Sequence, residues 1–290
     1  MCNMKRRIVI IPRGGLCNRM QFVNACASLK KPNIIMTCFW EKNDECYIDV
    51  KDLFADDSPF YDKMSVITVD YRHPFLAFVY LGMKKICRIF RVMIDQLDFY
   101  YAKEEMEKAL EEKEADFAKL LLSGWAHCFS GCEKLSQKTE PNCFIPNQSI
   151  IDSVNNIVPT SVQKKYVSFH IRRFDVNDGM VIPESYFENI EKKLSKTINS
   201  GKTVFLACDD KNYKDKLLDT YGSKNQILYQ RDMKYGRSNT DGIVSAYIDL
   251  ICLSFGSVVY GVSNSSFSRM AANIGGIQMI ELGADSRENA

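Results

Sequence analysis

Short apolar runs alternate with helix-like segments throughout the second half of the sequence. A run of about four to eight apolar residues predicts a buried strand, and an apolar stripe at helical spacing predicts a helix. Strands that alternate with helices form parallel sheets with right-handed crossovers, so this half of the sequence predicts an α/β fold. The predicted strands are residues 166–171, 203–207, 226–229, 258–262 and 278–281.

The first half of the sequence begins with the same kind of unit. Residues 7–11 predict a strand, the pair Gly14-Gly15 predicts a tight turn, and residues 18–29 predict a helix. A strand, a glycine turn and a helix in this order open a Rossmann-like domain. The positions of this helix that we expect to face inward are Met20, Val23 and Ala27.

A change of composition divides the chain. Proline and asparagine accumulate in residues 141–159, as they do in linkers between domains. We therefore expect two Rossmann-like domains, residues 1–160 and residues 161–290.

The composition is that of a globular protein, with 46% hydrophobic and 26% charged residues. The net charge of +2 gives no basic field for nucleic acid, which we do not expect as a partner.

The eleven cysteines are odd in number and irregularly spaced, and no signal-like apolar segment precedes them. We therefore expect reduced thiols and a cytoplasmic location. His127, Cys128 and Cys132 lack a second ligand pair at zinc-site spacing, which favours ordinary core cysteines over a metal site.

Residues 75–101 are rich in aromatic and aliphatic side chains but contain several lysines and arginines. The number of these charges argues against a membrane-spanning helix. Two interpretations stay open: an amphipathic surface helix that contacts anionic lipid at the inner face of the membrane, and a long helix with one face in the core.

Charged residues follow the first strand of the second half. His170, Arg172, Arg173 and Asp175 lie within six residues at the end of this strand. A desolvated charge without a partner is costly, and ligands of open α/β sheets bind at strand ends, so one of the two arginines is a candidate to bind a diphosphate. The alternative is that both arginines are solvated or paired with structural carboxylates.

Polar groups also follow other strands. Asp209-Asp210 come directly after one predicted strand, and Ser265-Ser266 lie between another strand and a helix. The carboxylates can bind ribose, a base or a metal, or cap the next helix, whereas hydroxyls and free amides at a helix start suit a phosphate. The Gly14-Gly15 turn offers helix amides in the same way, or is only a tight turn. The coincidence of these groups indicates a nucleotide site.

These segments resemble the motifs of one family, the GDP-fucose-dependent α1,2- and α1,6-fucosyltransferases and their protein O-fucosyltransferase relatives. Residues 170–175, His-Ile-Arg-Arg-Phe-Asp, are similar to the family's His-x-Arg-Arg-x-Asp motif. Residues 14–19 are similar to its Gly-Gly-x-Gly-Asn-(Gln/Arg) signature, with Cys17 in place of a glycine. Residues 205–210 and the block that runs from Asp249 to residue 268 are similar to its later motifs, whereas residues 40–160 match only loosely.

The resemblance implies a GT-B-like arrangement of two Rossmann-like domains facing across a cleft, with GDP-fucose bound to the C-terminal domain. It implies a metal-independent, inverting transfer of L-fucose to a hydroxyl of a glycan or lipid-linked oligosaccharide in polysaccharide biosynthesis, with no cofactor. Arg172 would bind the β-phosphate, beside His170, Arg173 and Asp175. The other binding residues carried over from the family are Gly15, Asn18, Asp209, Asp210, Asp249, Ser265 and Ser266.

The catalytic base is the least defined part of the resemblance. The α1,6 enzymes use a Glu shortly after the Arg-Arg pair, where this chain has Asp175, Asp178 and Glu184. We expect Asp178 to be the base from its position. Phe174 also stands where the family usually has a smaller residue. Two other functions stay open, the same fold with another nucleotide-sugar donor and a non-catalytic glycan- or nucleotide-binding module.

Overall fold

A computed structural model of the protein describes residues 6–27, 34–89, 93–95, 127–131, 143–173, 184–222, 226–262 and 265–282. The chain divides into two compact units. Unit 1 consists of Met1–Gln148 and Gly236–Val244, and unit 2 consists of Ser149–Tyr235 and Ser245–Ala290. The boundary that the composition places near residue 160 falls inside unit 2, and a short segment of the second half belongs to unit 1.

Unit 1 contains a parallel sheet with the strand order β3-β2-β1-β5-β4. The central strand β1 carries Ile8, Val9, Ile10 and Ile11, each at most 1% exposed, because both faces of a central parallel strand are covered. The described strands are β1 (Arg6–Pro12), β2 (Ile34–Lys42), β3 (Met64–Asp70), β4 (Met93–Asp95) and β5 (His127–Gly131). The described helices are α1 (Leu16–Ala27), α2 (Pro59–Lys63) and α3 (Pro74–Ile89), with a 3-10 turn at Val50–Asp52.

Unit 2 contains a second parallel sheet, with the order β10-β9-β6-β7-β8. All residues of β6 and β7 are buried, and their apolar side chains pack against the helices. The strands are β6 (Val167–Ile171), β7 (Val204–Cys208), β8 (Ile227–Leu228), β9 (Val258–Gly261) and β10 (Gln278–Glu281). The helices of the second half are α4 (Gln148–Ile157), α5 (Glu184–Asn199), α6 (Lys211–Tyr221), α7 (Thr240–Ser254) and α8 (Ser266–Gly275), with a 3-10 turn at Thr160–Val162.

The structure confirms the predicted α/β class and the parallel sheets. The inward residues predicted for the first helix, Met20, Val23 and Ala27, are all buried. The seven cysteines whose side chains are described are buried and form no disulfide: Cys17, Cys26, Cys38, Cys46, Cys143, Cys208 and Cys252. No helix of the described residues has the length and apolar character needed to cross a membrane.

The region between β3 and α4 differs most from the sequence-based expectation. The predicted helix of residues 75–101 ends at Ile89, and the short strand β4 begins at Met93. The polar helix expected at residues 103–119 and the strand expected at residues 120–125 lie outside the described residues. Strand β5 has no continuous apolar run, and it is a strand because it pairs with β1 and β4 on its two sides.

A buried carboxylate joins β2 to α3. The Glu41 side chain is 4% exposed, and its Oε1 accepts hydrogen bonds from Tyr71 Oη at 2.9 Å, Tyr80 Oη at 2.9 Å and Lys84 Nζ at 2.7 Å. Burial acts to raise the pKa of Glu41, but the hydrogen bonds and the charge of Lys84 outweigh it and leave the pKa lowered. Glu41 is therefore ionised, and its partners fix which side of α3 faces the sheet.

Replacing Glu41 by Gln is expected to lower the free energy of unfolding at neutral pH by about 3–5 kcal/mol, because Lys84 would keep a buried charge without its carboxylate. The double variant Glu41→Gln with Lys84→Met should recover most of this loss, since it removes both charges. Urea unfolding of the three proteins measures the effect. Equal stability of the single variant and the wild type would show that the pair does not hold α3.

The same pair predicts a dependence on pH. The pKa of Glu41 is lower in the folded protein than in the unfolded chain, where it is about 4.3, so the stabilisation is complete above that value. It is lost as the pH falls through the folded-state pKa. Unfolding curves from neutral pH down to about pH 3 should therefore show a smaller acid loss for the double variant than for the wild type.

Candidate functional site

The strand order of unit 2 reverses at β6, which pairs with β7 on one side and with β9 on the other. Ligands of open α/β sheets bind at the carboxyl ends of the strands beside such a reversal. All these strands are parallel, so the residues that follow them lie along one edge of the sheet. The predicted site residues that follow β6, β7 and β9 are Arg172, Arg173, Asp209, Asp210, Ser265 and Ser266.

Arg173 is bonded to other residues of unit 2. Its backbone N–H donates to Asp209 Oδ1 at 2.6 Å, and its Nε lies 3.6 Å from Asp210 Oδ2. Its guanidinium carbon lies 4.2 Å from the ring centre of Phe187 and 4.7 Å from that of Tyr213, both cation–π distances. The interpretation of a structurally paired arginine therefore describes Arg173.

The two aspartates after β7 have different contacts. Asp210 is the N-cap of α6 and accepts the backbone N–H of Tyr213 at 3.1 Å, as the capping alternative predicted. Asp209 binds the backbone of Arg173, which joins the ends of β6 and β7. An ionised carboxylate offers about four acceptor positions, so one such side chain can accept several hydrogen bonds at the same time.

His170 connects β6 to α8. Its Nδ1 lies 2.7 Å from Ser268 Oγ, and its ring centre lies 4.7 Å from that of Phe267. Burial, assisted by the positive charge of Arg172, lowers the pKa of His170 to about 3. The imidazole is therefore neutral at physiological pH, and the half-buried Arg172 carries its charge nearby.

The start of α8 is packed closely against β9. Ser265 is the N-cap of α8, is 1% exposed, and its hydroxyl accepts the N–H of Ser268 at 3.4 Å. A Cβ on Gly261 would lie 2.2 Å from Ser268 Oγ, so only glycine allows this approach. Helix N-termini favour anions, and this one begins at the strand end next to His170. Ser266 is the first residue of the helix and is half-buried.

Asp249 lies inside unit 2. It is 1% exposed, and its Oδ2 has no hydrogen-bond partner among the described residues. The Gln230 side chain, oriented with its amide nitrogen towards Asp249, donates to Oδ1 at 3.1 Å and to the Ser245 carbonyl at 3.0 Å. Burial raises the pKa of Asp249 to about 7, against the opposing charge of Lys214. Asp249 therefore lies in the interior of unit 2 with one carboxylate oxygen unbonded among the described residues, and its role on the diphosphate side stays a prediction.

Lys214 completes this interior cluster. It is 3% exposed, and its Nζ donates to the Gln230 carbonyl at 2.9 Å. Burial lowers the pKa of Lys214, while the negative charge of Asp249 raises it. The cluster holds the segment after β8 against α6 and α7, a structural role that the sequence did not indicate.

The glycine turn of unit 1 is fixed by Arg19. Gly14 has a φ of +79°, its N–H donates to Glu45 Oε2 at 3.1 Å, and its carbonyl accepts Arg19 Nε at 2.7 Å. Arg19 is fully buried and also donates to Asn43 Oδ1 at 2.9 Å and to the Glu41 carbonyl. Arg19 therefore joins the turn after β1 to the residues at the end of β2.

The predicted site residues of unit 1 lie on this turn. A Cβ on Gly14 would lie 3.0 Å from Asn18 Nδ2, so the Asn18 side chain lies against the glycine. A Cβ on Gly15 would lie 3.9 Å from an Nη atom of Arg237, which belongs to the segment Gly236–Val244 of the same unit. Arg237 is a cationic neighbour of the turn that the sequence analysis missed, because it is 222 residues away in the chain.

The remaining predicted residues lie outside this geometry. Asp175 and Asp178 fall in residues 174–183, outside the described residues, as does Phe174. Cys132 also lies outside them. Within the described ranges, no group of three or more His, Cys, Asp and Glu side chains is placed to hold a metal ion.

No protein-family model matches the sequence, and no curated protein is significantly similar to it. Solved structures are similar to it over nearly the whole chain. NodZ α1,6-fucosyltransferase soaked with GDP-fucose matches with a TM-score of 0.57 and 16% identity, over 96% of this chain and 95% of that one. POFUT1 in complex with GDP matches with a TM-score of 0.54 and 13% identity, over 97% and 99%.

A variant of Arabidopsis thaliana FUT1 in complex with GDP also matches, with a TM-score of 0.50 and 12% identity, over 94% of this chain and 69% of that one. Identities this low carry information about the fold. The fold expectation drawn from the motifs at residues 14–19, 170–175 and 205–210 is confirmed. The protein has the α/β fold of the GT-B-type fucosyltransferases.

Proposed function

We propose that the protein is a glycosyltransferase that moves L-fucose from GDP-fucose to a hydroxyl of a glycan acceptor. One observation carries this proposal: the ends of β6, β7 and β9 bring a cation, two carboxylates and a helix N-terminus together at the strand reversal of unit 2. Similar structures that contain GDP or GDP-fucose share this fold. A cation and helix amides suit a diphosphate, and carboxylates can accept hydrogen bonds from a ribose or a base.

The two arginines have separate roles in this proposal. Arg173 already binds Asp210 and lies against Phe187 and Tyr213, so its role is to hold the ends of β6 and β7 together. Arg172 lies close enough to His170, which contacts α8, for its charge to lower the pKa of the imidazole. Arg172 is therefore the arginine that would bind the β-phosphate beside the N-terminus of α8.

His170 is a positioning residue in this scheme. Its neutral ring bonds to Ser268 and holds the first turn of α8 at the end of β6. A protonated ring would add a second charge beside Arg172 in a buried place, which the low pKa prevents. In this proposal the diphosphate lies between the first turn of α8 and Arg172.

The chemistry requires charge stabilisation at the leaving group. As the bond from fucose to the β-phosphate breaks, negative charge grows on the diphosphate and positive charge on the sugar ring. Arg172 and the amides of α8 would stabilise that negative charge without reorganisation during the reaction. An acceptor hydroxyl attacks from the opposite face and inverts the anomeric centre, and its proton passes to a carboxylate, for which Asp178 and Asp175 are our candidates from the sequence.

The rest of the donor would be bound by the two aspartates. In this proposal Asp209 and Asp210 accept hydrogen bonds from ribose or guanine, because one carboxylate can accept several hydrogen bonds at the same time. Gly15 and Asn18 keep the binding role implied by the motif as a prediction. We further propose that the reaction needs no metal and that the acceptor is a glycan or a lipid-linked oligosaccharide of polysaccharide biosynthesis in the cytoplasm.

Calorimetry with GDP, GDP-fucose, GDP-mannose and UDP tests the class of donor. We expect GDP and GDP-fucose to bind and UDP to bind at least about tenfold more weakly, a difference of about 1.4 kcal/mol. A preference for UDP would replace GDP-fucose by another donor while keeping the transferase fold. If glycans bind and none of the four nucleotides does, the result would instead favour a non-catalytic module.

The variant Arg172→Ala should lower kcat by about 10²–10³-fold, as expected when a group that stabilises the leaving charge is removed, with little change in the melting temperature. Arg173→Ala serves as the matched comparison, because it should mainly lower the melting temperature by removing the contacts to Asp210, Phe187 and Tyr213. Transfer assays with thermal unfolding measure both effects. Normal turnover of Arg172→Ala would refute its role at the diphosphate.

Transfer is expected to persist in excess EDTA, because the leaving diphosphate would be neutralised by Arg172 and by helix amides. The assay compares initial rates before and after chelation. Loss of activity that Mg²⁺ or Mn²⁺ restores would contradict this prediction and would point to Asp209 and Asp210 as metal ligands.

A further inference from the structure

Helix α3 leaves its largest apolar side chains exposed and packs Tyr80, Met83 and the Lys84 ion pair against the sheet. Tyr80 and Lys84, one turn apart, face the interior and both donate to the buried Glu41. Ala77 precedes Tyr80 by three residues, lies on the same side of the helix and is also buried. The rotation of α3 about its axis is therefore set by a buried ion pair and not by burial of its largest apolar side chains.

The opposite side of α3 carries large apolar side chains in the open. Phe75 is 69% exposed and Phe78 is 77% exposed. Leu76, Val79 and Leu81 are each about half exposed, at 49%, 52% and 50%. We call these five residues the α3 face. None of them carries a hydrogen-bonding group, and an exposed cluster of this kind marks a surface that binds something apolar.

The sequence that contains the α3 face carries charges of one sign. Between Asp70 and Asp95 the sequence contains five lysines and arginines and no acidic residue. Lys84 is neutralised by Glu41, whereas Lys85 is exposed and follows Leu81 by four residues, on the same side of the helix. A helix with exposed Phe and Leu beside basic residues matches the pattern of helices that lie in the interface of an anionic membrane.

We propose that the α3 face binds the surface of a membrane that contains anionic phospholipid. Phe75, Phe78 and Leu81 enter the boundary between head groups and acyl chains, and Lys85 contacts lipid phosphates. The Glu41 pair holds the helix in the orientation that presents these side chains. This interaction is separate from the proposed transfer reaction and would stand if the donor were another molecule.

Lipid explains the α3 face better than a second copy of the chain does. A contact between two copies of the α3 face would offer Lys85 no opposite charge, because α3 contains no acidic residue. Anionic lipid supplies the opposite charge and an apolar layer in the same surface.

Cosedimentation of the full-length protein with vesicles tests the proposal. We expect binding to vesicles of phosphatidylcholine with about one third phosphatidylglycerol, and clearly weaker binding to phosphatidylcholine alone. The double variant Phe75→Ser with Phe78→Ser should lower the partition coefficient by at least about tenfold, because it removes the two most exposed apolar groups. Lys85→Glu should lower binding only to the anionic vesicles, by about tenfold.

Ile145→Ser is the matched control, since Ile145 is also an exposed apolar residue of unit 1, at 42%, but lies outside α3. It should bind vesicles like the wild type. Circular dichroism and GDP titration should be unchanged in all variants, which separates a loss of membrane binding from a loss of folding or of donor binding. If the double variant is misfolded, Lys85→Glu decides alone.

Two results would overturn the proposal. One is that the wild-type protein does not bind vesicles, or that it binds them and none of the α3 variants changes this binding. The other is a wild-type dimer in sedimentation velocity that Phe75→Ser with Phe78→Ser converts to a monomer, without vesicle binding by either, which would make the α3 face an interface between copies.

Discussion

Two arginines at the end of a fully buried strand must find acceptors, and this requirement organises unit 2. β6 is buried on both faces, yet Arg172 and Arg173 follow it directly. The structure meets the requirement for Arg173 with Asp210, two aromatic rings and the backbone bond to Asp209. These contacts of Arg173 fix the end of β6 beside β7, and they thereby fix the backbone position of Arg172. The candidate site is thus built on a structural ion pair.

Buried polar groups position backbone segments in both units. Arg19 joins the Gly14 turn to the end of β2, and Glu41 sets the rotation of α3. Lys214 and Asp249 do the same for the segment around Gln230. Buried charges are costly unless they are bonded, so each of these groups allows few alternative arrangements of the segments that it joins. The residues that contact solvent at the strand ends therefore rest on a fixed framework.

Much of this arrangement could be predicted from local patterns. The apolar runs predicted β6, β7 and β9, and the order of strands and helices predicted the parallel sheets, because strand and helix periodicities are local properties of the sequence. β5 was not predicted, since its residues lack such a run and only pairing with β1 and β4 makes them a strand. The sequence left open whether the apolar side chains of α3 face the core or the surface, because the partner of Lys84 is Glu41, a residue of β2 that lies 43 positions away in the chain.

The sequence by itself determined the α/β class, the strand ends that carry charge and the segments that resemble the fucosyltransferase motifs. Only the tertiary structure decided that Arg173 pairs with Asp210, that Asp249 lies in the interior and that α3 turns its phenylalanines outward. The physical reason is the range of the interactions. Periodicity and turn chemistry act between neighbours in the chain, whereas the partner of a buried charge is chosen by the packing of elements that are distant in sequence.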